Sequence, residues 1–187
     1  MLMKVKPANK AGEVTLELDH KDDALMAAAT HTAVTSPFTI KQIVVPIDFS
    51  DCSKKALPYA LALAREHRAD LTLLYVVEPA YAAGEYGGID YAQIEAGMKE
   101  DGEKELARMA EEVQGQVNAV TQVCVGNPAR AIVETARDLP ADLIVIATHG
   151  RTGLKHVLLG SVAEHVVQRA PCPVLVVRET EHEILPS

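Results

Sequence analysis

The residues best placed to do chemistry follow an apolar run at positions 143–147. Gly150 and Gly153 come next, and nine residues separate Gly150 from Gly160 and Ser161. Glycines leave backbone N–H groups unobstructed by side chains. Ser161, with Glu164 three residues on, has the pattern of an N-cap and its capping-box partner at a helix start. A strand, a glycine loop and a helix N-terminus together offer free amide donors and the positive end of a helix dipole, which is the chemistry of a phosphate cradle. Arg151, Lys155 and His156 add a local basic patch, able to steer or neutralise an anion or simply to remain solvated. Asp48 ends a second apolar run. A carboxylate there could bond ribose hydroxyls, hold a Mg²⁺ ion carried by phosphates, or cap the next helix.

Other chemistries find less to work with. His149, Asp48 and Ser161 have the residue types of a catalytic triad, but a hydrolase elbow requires glycine two residues to either side of the serine. Leu159 and Ala163 occupy those positions. The histidines lack the His-Glu-x-x-His spacing of a metal site, and no Gly-x4-Gly-Lys-Ser/Thr loop occurs. No general base with a lysine or arginine clamp is evident for phosphoryl transfer, so binding is expected rather than efficient turnover.

The elements that must position these residues alternate between strand and helix. Residues 41–48 read as a buried strand and 50–53 as capping residues for a helix with Ala56, Leu57, Ala60, Leu61 and Ala64 on one stripe. Pro58 predicts an irregular first turn or a bend. Residues 71–77 form the second strand, and 81–90, with three glycines and two tyrosines, a mobile loop. A long helix then carries Ile94, Met98, Leu106, Met109 and Val113 at helical spacing, with Gly102 on the same stripe. Eight acids and three bases between Asp90 and Glu112 make its other face strongly negative. Residues 119–125 form a third strand, Asn127 and Pro128 an N-cap and first helical residue, and 142–147 the fourth strand. Pro171 and Pro173 introduce a last strand at 174–178, suited to a sheet edge. This alternation predicts an α/β fold with one doubly wound parallel sheet.

At the glycine loop the sequence resembles the universal stress protein family in its UspA-like, nucleotide-binding branch, whose frame is Gly-x2-Gly-x9-Gly-Ser/Thr. Gly150, Gly160 and Ser161 match that frame, and Ala147 stands at its first glycine. The resemblance covers residues 40–178 and implies a Rossmann-like, adenine nucleotide alpha hydrolase-like fold with five strands in the order 3-2-1-4-5. It implies ATP or AMP as ligand, with Mg²⁺ if ATP is bound. It assigns Gly150, Gly160, Ser161 and Val162 to the phosphates, Ile146 and Ala147 to the ribose side, Pro46 and Asp48 to the same site, and the Val76 backbone to the adenine edge. Arg151 joins the phosphate side through the basic patch. A homodimer through the last strand is also implied. The function expected is a stress-response sensor or signalling module. Ala147 favours the alternative, a protein-interaction module of the same fold that does not bind nucleotide.

Composition bounds the rest. The chain has 187 residues, of which 48% are hydrophobic, and a net charge of −8. That leaves no basic face for nucleic acid. No apolar run approaches the ~20 residues of a membrane helix. Asp22 and Asp23 interrupt any apolar region of a signal peptide. Cys52, Cys124 and Cys172 lack Cys-x-x-Cys spacing, which points to buried hydrophobes in a reducing compartment, the cytoplasm. Residues 1–39 carry no chemical motif and read as an extension in which 13–18 could form a strand and 24–29 a helical turn. Residues 179–187 are a polar tail.

Overall fold

The structure, a computed structural model, describes residues 4–7, 14–17, 39–79, 91–149 and 159–178. The chain divides into two units, Met1–Phe38 and Thr39–Ser187. In the first, β1 (Lys4–Pro7) pairs antiparallel with β2 (Val14–Glu17). The alternation at 13–18 thus becomes a strand, and its partner is one that the sequence did not announce. The helical turn expected at 24–29 lies outside the described residues, as do the loop at 81–90 and the tail.

The second unit runs β3 (Gln42–Pro46), α1 (Asp51–Lys54), α2 (Ala56–His67), β4 (Asp70–Val77), α3 (Tyr91–Glu112), β5 (Ala119–Val125), α4 (Pro128–Asp138), β6 (Leu143–Ala147), α5 (Ser161–Arg169) and β7 (Val174–Val177). The strands lie in the order β5-β4-β3-β6-β7, every neighbouring pair parallel. Counted within the unit this is 3-2-1-4-5, the expected order.

Sheet residues alternate between two faces. Ile43, Val45, Leu71, Leu73 and Val145 pack with Ala56, Ala60 and Ala64 of α2 and with Leu106 and Met109 of α3. Val44, Leu74, Ile144 and Ile146 pack on the other face with Ile132, Val133 and Ala136 of α4 and Ala163 and Val166 of α5. Each fully buried aliphatic side chain contributes roughly 1.5–3 kcal/mol. Helices on both faces make the sheet doubly wound.

One polar contact sets where the site opens. The Asp142 carboxylate accepts from the backbone N–H groups of Lys41 (2.7 Å) and Gln42 (3.0 Å), tying the start of β6 to the start of β3. These two strands share only the register pairs Ile43–Leu143 and Val44–Ile144, whereas β3 and β4 share five. Beyond Val44 the strands part. The winding reverses at this point in the sheet, and a crevice opens at the carboxyl ends, as such switch points require.

Local details follow the chain's chemistry with two differences. Asn127 caps α4, its side chain accepting from Arg130 N, and Pro128 takes the first helical position. The irregularity expected from Pro58 appears as a break at Lys55 between α1 and α2, because the proline nitrogen has no hydrogen to donate to the carbonyl four residues earlier and its ring crowds that carbonyl in a regular helix. Ile94, expected on the buried stripe, is instead 43% exposed; the core stripe of α3 begins near half-buried Met98 and runs through Gly102, Leu106 and Met109. The second difference concerns the cysteines, of which Cys52 alone is buried, Cys124 and Cys172 being half-buried. Burial, and after it the charge of Asp142, pushes the Cys172 thiol above its ordinary value. The thiolate is the nucleophile. Iodoacetamide at pH 8.5 is therefore expected to alkylate Cys172 more slowly than a free model thiol, as read by peptide mass spectrometry; an equal or faster rate would contradict the burial argument.

Candidate functional site

The crevice is a cavity of about 560 Å³ bounded by the carboxyl ends of β3, β4 and β6 and by the first turn of α5. That size lies within the range of small-molecule and cofactor pockets. Pro46, Asp48, Val76 and Ile146 line it from the strands, Ala147 from the last residue of β6, and Gly160, Ser161 and Val162 from the helix start. Eight of the ten residues singled out in the sequence are thus brought to one cavity. The other two, Gly150 and Arg151, lie outside the described residues, as do Lys155 and His156.

The α5 terminus differs from the expected capping box. Gly160, extended at φ −67° and ψ 153°, is the N-cap, and its carbonyl accepts the first helical bond from Glu164 N at 2.9 Å. Ser161 is already the first helical residue, with its side chain exposed, and no side chain caps the helix. The Gly160 N–H donates to Thr148 O at 2.8 Å, so that amide is used within the protein. A β-carbon at Gly160 would meet the same carbonyl oxygen at 3.0 Å. Glycine lets the helix start close onto the end of β6 without that oxygen having to give way. The amides of Ser161, Val162 and Ala163 come in the first turn, where a helix has no intrahelical acceptor to give them, and all three residues line the cavity.

Across the cavity, β4 presents a second pair of backbone groups. In a parallel sheet, alternate residues direct both N–H and C=O to the same neighbour. Leu71 N donates to Asn118 O (2.9 Å) and Val77 O accepts from Gly126 N (2.9 Å), so the odd residues serve β5. Leu74 O accepts from Ile47 N at 2.8 Å, so the even residues face β3. The β3–β4 ladder ends at Pro46–Leu74, and the next even residue is Val76. Its N–H and C=O turn toward the crevice, and no backbone hydrogen bond among the described residues takes them.

Asp48 is half-buried, and its Oδ1 accepts from Ser50 N (3.0 Å) and Ser50 Oγ (2.5 Å). Ser50 in turn caps α1 by accepting from Ser53 N at 3.1 Å. Between them Phe49 has φ +66°, a conformation that costs a residue with a β-carbon roughly 1–2 kcal/mol. Helix capping thus falls to Ser50, and Asp48 organises the turn before it. Of the three residues with triad chemistry, Asp48 is directed to Ser50 and His149 Nδ1 lies 3.0 Å from Thr148 Oγ1.

Sequence reasoning missed Glu78, Met98 and Thr148 as lining residues. A carboxylate just past the end of a strand was a usable signal for Glu78. Met98 had only helical spacing, which says nothing about the crevice. Among the described lining residues there is no lysine or arginine, and His149 is the single side chain that can carry positive charge.

A doubly wound parallel sheet with its crevice at the switch point places the chain among Rossmann-like α/β domains. Within that class it belongs to the universal stress protein family, whose family model matches residues 39–178. The universal stress protein MJ0531 of Methanocaldococcus jannaschii is 41% identical over 146 residues, 76% of this chain and 85% of that one. Among solved structures, UspA from Lactobacillus plantarum superposes with a TM-score of 0.69 at 29% identity, covering 75% of this chain and 99% of that one. A universal stress protein solved in complex with cAMP gives a TM-score of 0.56 at 25% identity over 76% of this chain and 99% of that one.

Proposed function

We propose that the second unit binds an adenine nucleotide, ATP or AMP, and works as a stress-response sensor or signalling module of the nucleotide-binding branch. The observation that carries this is the pairing of two sets of backbone groups across one cavity. The Val76 N–H and C=O match the acceptor and donor on the adenine edge, and the first-turn amides of α5 match a phosphate. Asp48 lies between them, where its carboxylate can accept from ribose hydroxyls. Gly150 and Arg151 would add to the phosphate side, and Ile146 and Ala147 to the ribose side. The similar protein in complex with cAMP supports the same ligand class.

Among the described lining residues it is amides, not a lysine or arginine, that would meet the phosphate charge, which suits retention of the ligand better than phosphoryl transfer. Mg²⁺ would arrive with ATP, and it needs only one or two protein carboxylates, a demand that Asp48 and Glu78 in the lining can meet. Isothermal titration with ATP and AMP is expected to show binding at micromolar to millimolar nucleotide; no heat and no thermal shift would end the proposal.

A second reading keeps the fold and drops the ligand. Ala147 favours it, a methyl-bearing residue that is 6% exposed in the cavity wall where the family frame has glycine. Absorbance of freshly purified protein separates the two, since co-purified nucleotide raises the 260 nm signal. We also propose a cytoplasmic homodimer through the edge strand β7, where Leu175 is 36% exposed. Light scattering at the mass of one chain would contradict it. Among the described residues no helix is long and apolar enough to cross a membrane.

A further inference from the structure

Phe49 has a backbone conformation that suits glycine, yet it is a bulky residue one position from Asp48. Something must hold it there. Its ring lies 4.6 Å, centroid to centroid and tilted by 48°, from the ring of Tyr75, which is itself buried and lines the cavity. Gly102 of α3 leaves room for the Tyr75 ring, because a β-carbon there would approach Tyr75 Cε1 to 2.5 Å. The left-handed step at Phe49 turns the chain so that both Ser50 donors reach Asp48 Oδ1. Ser53, 4% exposed, fixes the other side, its Oγ accepting from Asp48 N (3.3 Å) and donating to Ser50 O (3.0 Å).

We infer that Phe49 is a positioning residue for ligand recognition: its ring, seated on Tyr75, holds the strained turn that orients the Asp48 carboxylate in the cavity. The inference rests on the nucleotide reading above. Backbone strain kept at a site is maintained by surrounding packing. Here that packing includes the Tyr75 ring, against which Phe49 sits at the margin of the core. The carboxylate's orientation therefore depends on a residue that does not itself line the cavity.

Two substitutions separate positioning from simple packing. Phe49→Leu keeps apolar bulk but leaves the left-handed strain without its aromatic partner, so the turn should relax to negative φ. ATP affinity should then fall about tenfold. Phe49→Gly adopts φ +66° freely and should lose only about threefold, the cost of a looser turn. A merely space-filling Phe49 predicts the reverse order, with leucine tolerated better than glycine. Each variant is combined with Asp48→Ala and titrated with ATP by calorimetry. If Phe49 acts through Asp48, neither substitution has a further effect in the Asp48→Ala background. Should Phe49→Leu not fold, the cycle with Phe49→Gly decides alone. No heat from ATP or AMP on the unaltered chain overturns the nucleotide reading and this inference with it. Heat on the unaltered chain, with additive effects in the cycle or with leucine tolerated as well as glycine, overturns the inference alone.

Discussion

Ser161→Asp should raise the melting temperature of the chain while removing nucleotide binding. The residue is the first of α5, its side chain is exposed, and no side chain caps this helix. A carboxylate in the first turn of a helix interacts favourably with the dipole, by about 0.3–1 kcal/mol. In a domain of this size that corresponds to roughly 1–4 °C. The same carboxylate would sit among the amides proposed for phosphate. A like charge so close costs several kcal/mol, so ATP affinity should fall by ~100-fold or more. Opposite signs in the two measurements exclude unfolding as the cause of lost binding. Unchanged ATP affinity in this variant would mean that the α5 terminus does not meet the phosphates.

Gly102→Ala should destabilise the chain, although helix propensity argues the other way. Alanine in place of glycine favours a helix interior by about 0.8–1 kcal/mol. Here, however, the new methyl would overlap the Tyr75 ring, with Cε1 at 2.5 Å. Tyr75 is 5% exposed and already in ring contact with Phe49, so it has little room to retreat. Overpacking of this kind costs roughly 1–3 kcal/mol. A net loss of up to about 2 kcal/mol in urea denaturation is expected. A gain in stability would show that the ring moves aside freely. Tyr75 also lines the cavity, so a shifted ring should weaken nucleotide binding as well.

The glycine at 102 shows why one level of description falls short. Read locally, it is a weak point on an apolar stripe. In the folded chain it is the notch into which a side chain of β4 fits. Ser161 shows the same limit. Its pattern with Glu164 is that of a capping box, and the helix does start there, but one residue earlier than the pattern says. The choice between Gly160 and Ser161 as N-cap depends on how closely α5 approaches Thr148 at the end of β6.

Much of the architecture was open to local reasoning because its causes are local. Apolar β-branched runs become strands, the alanine and leucine stripe of α2 follows helical spacing, and Asn127 with Pro128 starts α4 by backbone chemistry within four residues. The alternation of these elements already requires a doubly wound parallel sheet, and the family frame at Gly150, Gly160 and Ser161 supplied its strand order. Three things were settled only when distant segments met. They are the Val76 backbone edge left beyond the last β3–β4 pair, the two-pair ladder that lets β3 and β6 part, and the left-handed turn at Phe49 held by Tyr75. Each depends on where one strand ends relative to another or on which ring fills which notch. Such registers come from long-range pairing, which no short window of residues contains.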